Sequence, residues 1–140
     1  MEPITIVTWL VSAAKFLKDT GADGAVKEGA KSFFSWVKGK FTRKSEQEKI
    51  ETVIAAPDNE DAIKGLEQMI SDTQKDDAAL IASLQDQVNQ FSKLVEQKMP
   101  QAAASINNQI TNSKNVVVDG FKNISSQGNI SINVGDNNPK

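Results

Sequence analysis

The chain has 140 residues, of which 39% are hydrophobic and 24% charged, a composition typical of one folded domain of about 100 residues with an appendage. Its formal net charge of -2 argues against nucleic-acid binding. The chain contains no Cys and no His, which excludes disulfides, thiolate and imidazole metal sites and the commonest general base.

The N-terminal segment is strongly apolar and predicts a helix over residues 4–18. Pro3 suits a first helical turn, and Gly21 marks the end of the helix. A signal peptide would carry basic residues ahead of the apolar run, and a membrane span needs about 18 apolar residues, whereas Lys15 and Lys18 interrupt this one. We therefore expect a cytoplasmic protein whose first helix is central in a bundle or faces something other than water.

The next two predicted helices carry clear local signals. The second covers residues 25–41, with Phe33 and Phe34 among its apolar positions and lysines along the other side. We interpret its aromatic residues as core packing rather than as a lipid or ligand site. Ser45 and Glu48 match a capping box, which predicts the start of the third helix.

Capping and helix-breaking residues also bound the fourth and fifth predicted helices. Pro57 ends the third helix, because the residue before a proline disfavours helical geometry. The predicted caps are Asp58 or Asn59 for the fourth helix and Asp76 or Asp77 for the fifth, which Pro100 ends. The sequence thus predicts a mainly α fold, a four- to five-helix bundle over residues 1–100 with a short C-terminal β-forming tail.

The remaining 40 residues differ in composition from the bundle. Residues 101–114 are a polar linker or a helix extension, and the sequence leaves both open. Residues 115–140 are rich in Asn and Gly and carry period-two alternation at Ile130, Ile132 and Val134, which predicts β structure. Two strands need a partner to be stable, so the tail self-assembles as a cross-β ladder, rests as a hairpin on the bundle, or is disordered.

The end of the tail resembles the amyloid signalling motifs of fungi and multicellular bacteria, which are related to the homotypic interaction (RHIM) motif of necroptosis kinases. That motif alternates aliphatic, Gln, aliphatic and Gly residues. Ile132, Val134 and Gly135 match it, whereas Asn133 replaces the Gln. The position of this segment, after a polar stretch that follows a helical domain, agrees with the resemblance.

The helical part resembles the bacterial Bell domains, which are similar in architecture to the fungal HeLo-type cell-death domains. The matching features are the acidic-Pro start at Glu2-Pro3-Ile4, the Lys38-Gly39-Lys40-Phe41 end of the second helix, and the Pro57-Asp58 break. The resemblance implies a membrane-acting effector of bacterial cell death or immunity. A receptor with a matching motif would template the tail, and the first helix would then attack the inner face of the cell membrane.

We expect no enzyme, because the acidic clusters sit at helix starts and no phosphate loop, nucleophile elbow or metal-ligand spacing is present. No catalytic, cofactor-binding or metal-binding residue is therefore predicted. The alternatives to a membrane effector are an oligomeric scaffold whose tails pair, and an adaptor whose tail adds as a strand to a partner. The predicted self-assembly residues are Val116, Val118, Gly128, Asn129, Ile130, Ile132, Asn133, Val134, Gly135 and Asn137. The predicted membrane-contacting residues are Ile6, Trp9, Leu10, Lys15, Phe16 and Lys18.

Overall fold

The computed structural model of the protein describes the backbone of residues 1–122 and the side chains of residues 1–112. This part of the chain forms six α-helices and contains no strand. The helices are α1 (Pro3–Lys18), α2 (Gly24–Lys40), α3 (Lys44–Ala55), α4 (Glu60–Asp76), α5 (Ala78–Lys98) and α6 (Pro100–Lys122). The mainly helical fold predicted from the sequence is confirmed for these residues.

The chain divides into two compact units, residues 1–107 and residues 108–140. The first unit holds α1 to α5 and the start of α6, and the second unit holds the rest of α6. Within the first unit, α1 packs against α2, α3, α4 and α5. These four surrounding helices also pack in sequence, α2 on α5, α5 on α4 and α4 on α3. The helix α1 is therefore the centre of a five-helix bundle.

Two of the predicted helix caps are confirmed by hydrogen bonds. The backbone N–H of Ala62 donates to Oδ1 of Asn59 over 3.0 Å, and the N–H of Leu80 donates to Oδ1 of Asp77 over 3.1 Å. Each cap satisfies one of the N–H groups that a helix start leaves without a partner inside the helix. In both cases the second residue of the predicted pair is the cap.

The predicted capping box at the start of the third helix is wrong by two residues. Arg43 precedes the first turn of α3, and its backbone N–H donates to Oε1 of Glu46 over 3.3 Å. The predicted pair, Ser45 and Glu48, lies inside the helix. An arginine side chain has no acceptor atom, so Glu46 supplies only the reverse half of a capping box here.

The helix α6 covers both the segment left open by the sequence and part of the predicted β tail. Residues 101–114 are helical, and the helix continues through residues 115–122, where the sequence predicted a β-forming segment. Alanine residues at its start favour a helix, and the apolar spacing of Ile106 and Ile110 continues to Val117 and Phe121. Because this spacing is helical, the three β-branched residues at positions 116–118 do not by themselves specify a strand.

Candidate functional site

The side chains that the sequence predicted to contact a membrane lie on α1, and its apolar members are enclosed by protein. Ile6, Trp9 and Leu10 are 0%, 2% and 1% exposed, and Phe16 is 8% exposed. Lys15 and Lys18, the predicted headgroup contacts, are exposed at the end of the helix. The structure thus brings the predicted apolar residues together in the core and leaves the two cations on the surface.

An aromatic cluster fixes α1 against α2 and α5. The ring of Phe91 on α5 lies 6.0 Å from that of Trp9, 6.1 Å from that of Phe16 and 5.5 Å from that of Phe33, measured between ring centroids. Its contacts with Trp9 and Phe16 are edge-to-face, a favoured geometry for aromatic pairs. Phe91 therefore joins α1, α2 and α5 at one point.

Polar contacts at the two ends of α1 are weak and exposed. Nζ of Lys15 lies 3.3 Å from Oδ1 of Asp58, in the turn between α3 and α4, and both side chains are largely in solvent. At the other end, the carbonyl of Met1 accepts from Nε2 of Gln74 and of Gln85 over 3.5 Å each, the long limit of a hydrogen bond. Apolar burial therefore holds α1 in place, and its polar ends add little.

The corner between α2 and α3 is closed by one glutamine. Nε2 of Gln47 donates to the carbonyl oxygens of Lys38 and Phe41 over 2.6 Å and 2.5 Å, and Nζ of Lys38 lies 3.0 Å from Oε1 of Glu51. These contacts satisfy carbonyls that the end of α2 would otherwise leave without partners. Gln47 was not predicted from the sequence, because a glutamine among charged residues at a helix start is typical of a solvated position.

A groove of about 290 Å³ lies between the α2–α3 turn and the α4–α5 turn. One side, called the basic wall here, carries Lys40, Arg43 and Lys49, together with Glu46, whose carboxylate faces the N–H of Arg43. The opposite side, called the acidic wall, carries Asp72, Asp76 and Asp77. All these cations and aspartates are exposed, and among the described residues no ion pair joins one wall to the other.

A second groove, of about 200 Å³, lies between α2 and α5. Phe33 and Phe91 are part of its lining, and Gly29 stands at its edge opposite Leu94. A Cβ atom placed on Gly29 would come within 2.5 Å of Cδ2 of Leu94, so the absence of a side chain allows the two helices to approach this closely. The sequence indicated only that Gly29 weakens its helix.

Two of the ten predicted self-assembly residues lie in the described part of the chain. Val116 and Val118 lie in α6. Outside the described residues lie Gly128, Asn129, Ile130, Ile132, Asn133, Val134, Gly135 and Asn137. The predictions made for this second group therefore stay predictions.

None of the helices in the described part of the chain combines the length and the apolar character needed to cross a membrane. Within the same residues, no group of three or more acidic side chains is placed to hold a metal ion. Comparisons of the chain with protein-family models, with curated proteins and with solved structures find no match.

Proposed function

We propose that this chain is a non-enzymatic helical effector that acts on membranes in bacterial cell death or immunity, under the control of its self-assembling C-terminal β motif. The observation that carries the proposal is the enclosure of α1. This helix is the most apolar of the six, and it lies beneath four others. Such a helix is stable either under protein or in lipid, and the chain holds it under protein until it is released.

The dimensions of α1 favour a position in the lipid interface. A helix of 16 residues is about 24 Å long, shorter than the roughly 30 Å hydrocarbon layer of a bilayer. Its apolar residues would insert below the headgroups, while the exposed Lys15 and Lys18 would contact anionic lipid. Leakage in this proposal comes from many copies disturbing one area of membrane.

Release of α1 requires a driving force, because it removes the centre of the bundle core. Folded domains are stable by about 5–15 kcal/mol, so spontaneous release is rare. Cross-β assembly of the tail, which the resemblance to amyloid signalling motifs implies, would gather copies and supply that force through repeated backbone pairing. The partners of this proposal are other copies of the chain, a receptor with a matching motif, and membrane lipid.

The test locks α1 in the bundle and measures leakage. The chain has no Cys, so Glu2→Cys and Gln74→Cys provide two unique thiols near the contact between Met1 and Gln74. A flexible bis-maleimide with a reducible centre joins them and holds the N-terminal end of α1 on α4. Assembled protein is then added to dye-filled vesicles of phosphatidylcholine and phosphatidylglycerol. We expect the locked protein to release little dye and to regain activity after the linker is reduced.

The matched controls are the same double variant without linker and each single-cysteine variant with the reagent attached. All should release dye as the parent chain does. Equal leakage by locked and reduced protein would refute release of α1, and absence of leakage by every sample would refute membrane action altogether.

A second candidate is a soluble scaffold or adaptor whose tail pairs with itself or with a partner. It is favoured by the closed surface of the bundle, since Met1, at 41% exposure, is the one exposed large apolar side chain among residues 1–112. Sedimentation separates the two functions. A scaffold forms an oligomer of fixed size with no effect on vesicles, and an adaptor stays monomeric until its partner is added.

A further inference from the structure

The groove between the basic wall and the acidic wall has an arrangement of charge that a second copy of this chain can complement. Lys40, Arg43 and Lys49 are exposed on one side of the groove, and Asp72 and Asp76 are exposed on the other. None of these charged groups takes part in an ion pair within the described residues. The surface therefore presents a basic side and an acidic side, and neither has an ionic partner among the described residues.

Two-fold symmetry places such a surface against itself in a favourable way. In a symmetric pair, residue i of one copy meets residue j of the other and the reverse contact repeats. The basic wall of each copy would then face the acidic wall of its partner, and every charge contact would occur twice. We propose that two helical bodies pair through this groove, with the basic wall of each copy on the acidic wall of its partner.

The contact is weak in dilute solution, because exposed ion pairs add little individually and salt screens them. It becomes populated when copies are held together, since tethering gives effective concentrations on the order of millimolar. This inference rests on the proposed function in one respect: the assembled tails are what bring the bodies together. The groove contact would then set the orientation in which the bodies pack beside the tail fibre.

The experiment separates the body contact from the tail by using full-length protein that carries Ile132→Asp. We expect this variant not to assemble through its tail and to keep the bundle folded, because the substitution lies outside the compact unit of residues 1–107. Sedimentation equilibrium and fluorescence anisotropy of labelled protein, up to about 1 mM, measure pairing of the bodies in low salt and in about 0.5 M salt. Pairing that weakens with salt supports the contact, and no pairing at any concentration overturns it.

Charge reversal then identifies the surface. One variant carries Arg43→Glu and Lys49→Glu, and the other carries Asp72→Lys and Asp76→Lys. Arg43→Glu places an acid ahead of α3 and Asp76→Lys places a base in the last turn of α4, and the helix dipole favours both. Lys49 and Asp72 are exposed, so we expect both variants to keep the fold. We expect each variant alone to pair about tenfold more weakly or worse. An equimolar mixture restores pairing, because every reversed wall then meets a wall of opposite sign.

Matched controls carry the same changes of charge on other faces of the bundle. They are Lys64→Glu with Lys93→Glu, and Asp86→Lys with Glu96→Lys, all at exposed positions away from the groove. Controls that pair like the parent, together with recovery in the mixture, support the proposal. Loss of pairing in the controls, or a mixture that stays unpaired, overturns it. Neither outcome depends on vesicle leakage, so this inference and the proposed function fail separately.

Discussion

Gly29 and Gly65 both lie inside helices, but their surroundings differ. A Cβ atom on Gly65 in α4 meets nothing within 4 Å, whereas one on Gly29 in α2 meets Cδ2 of Leu94 at 2.5 Å. We expect Gly65→Ala to raise the free energy of unfolding by about 0.5–1 kcal/mol, the helical advantage of Ala. Gly29→Ala should raise it less or lower it, because Leu94 has to move. Urea unfolding followed by circular dichroism measures both changes.

The contact between Gly29 and Leu94 is isolated by a double-mutant cycle. In a Leu94→Ala background the obstructing atom is gone, so Gly29→Ala should recover a gain of about 0.5–1 kcal/mol. An equal gain in both backgrounds would show that the α2–α5 approach does not need a glycine. The cycle thus separates the packing of α2 on α5 from intrinsic helix propensity.

The contact between α2 and α3 depends on Gln47, and two substitutions at this position test that dependence. Gln47→Ala removes two hydrogen bonds to the carbonyls of Lys38 and Phe41, and we expect a loss of about 1–2 kcal/mol in stability. Gln47→Glu should cost more, because a carboxylate oxygen then faces those carbonyl oxygens. Amide hydrogen exchange should become faster in the last turn of α2 in both variants.

A neighbouring substitution supplies the control for this joint. Glu48 is exposed on the same helix, so Glu48→Ala should change stability by less than about 0.5 kcal/mol. If Gln47→Ala changes the free energy of unfolding as little as Glu48→Ala does, water replaces the glutamine side chain and Gln47 does not hold α2 to α3. An effect confined to Gln47 would show that its hydrogen bonds hold α2 to α3, beside the ion pair between Lys38 and Glu51.

The elements differ in how far the sequence predicted them. Long, regularly spaced apolar stretches specified the helices of the bundle, and Pro57 and Asn59 placed the break before α4 because they act on local geometry alone. The start of α3 was misplaced, because Ser45 and Glu48 match a capping box, whereas the helix begins after Arg43, which is not a typical cap residue. Gln47 and the close approach at Gly29 depend on tertiary contacts, and no periodicity in the sequence encodes them.

At the scale of the whole molecule, the bundle and the tail are expected to act as separable parts. A peptide of residues 115–140 should form fibres with a spacing of about 4.7 Å between strands. Ile132→Asp should prevent this, because it places a charge in the dry interior of the cross-β stack. Ser126→Asp adds the same charge ahead of the motif and serves as the control. Fibre diffraction and seeding of the full-length chain measure the result, with thermal unfolding of the bundle unchanged.

The order of events follows from combining this tail variant with the locked α1. Protein with the linker between positions 2 and 74 should form fibres at the normal rate but release little dye, because assembly precedes release of α1. Ile132→Asp protein without the linker should neither form fibres nor release dye, because no tail assembly drives α1 from the bundle core. Leakage by the Ile132→Asp protein would show that the tail does not control the bundle. Failure of locked protein to form fibres would place helix release before assembly, and would make the tail the consequence of activation rather than its cause.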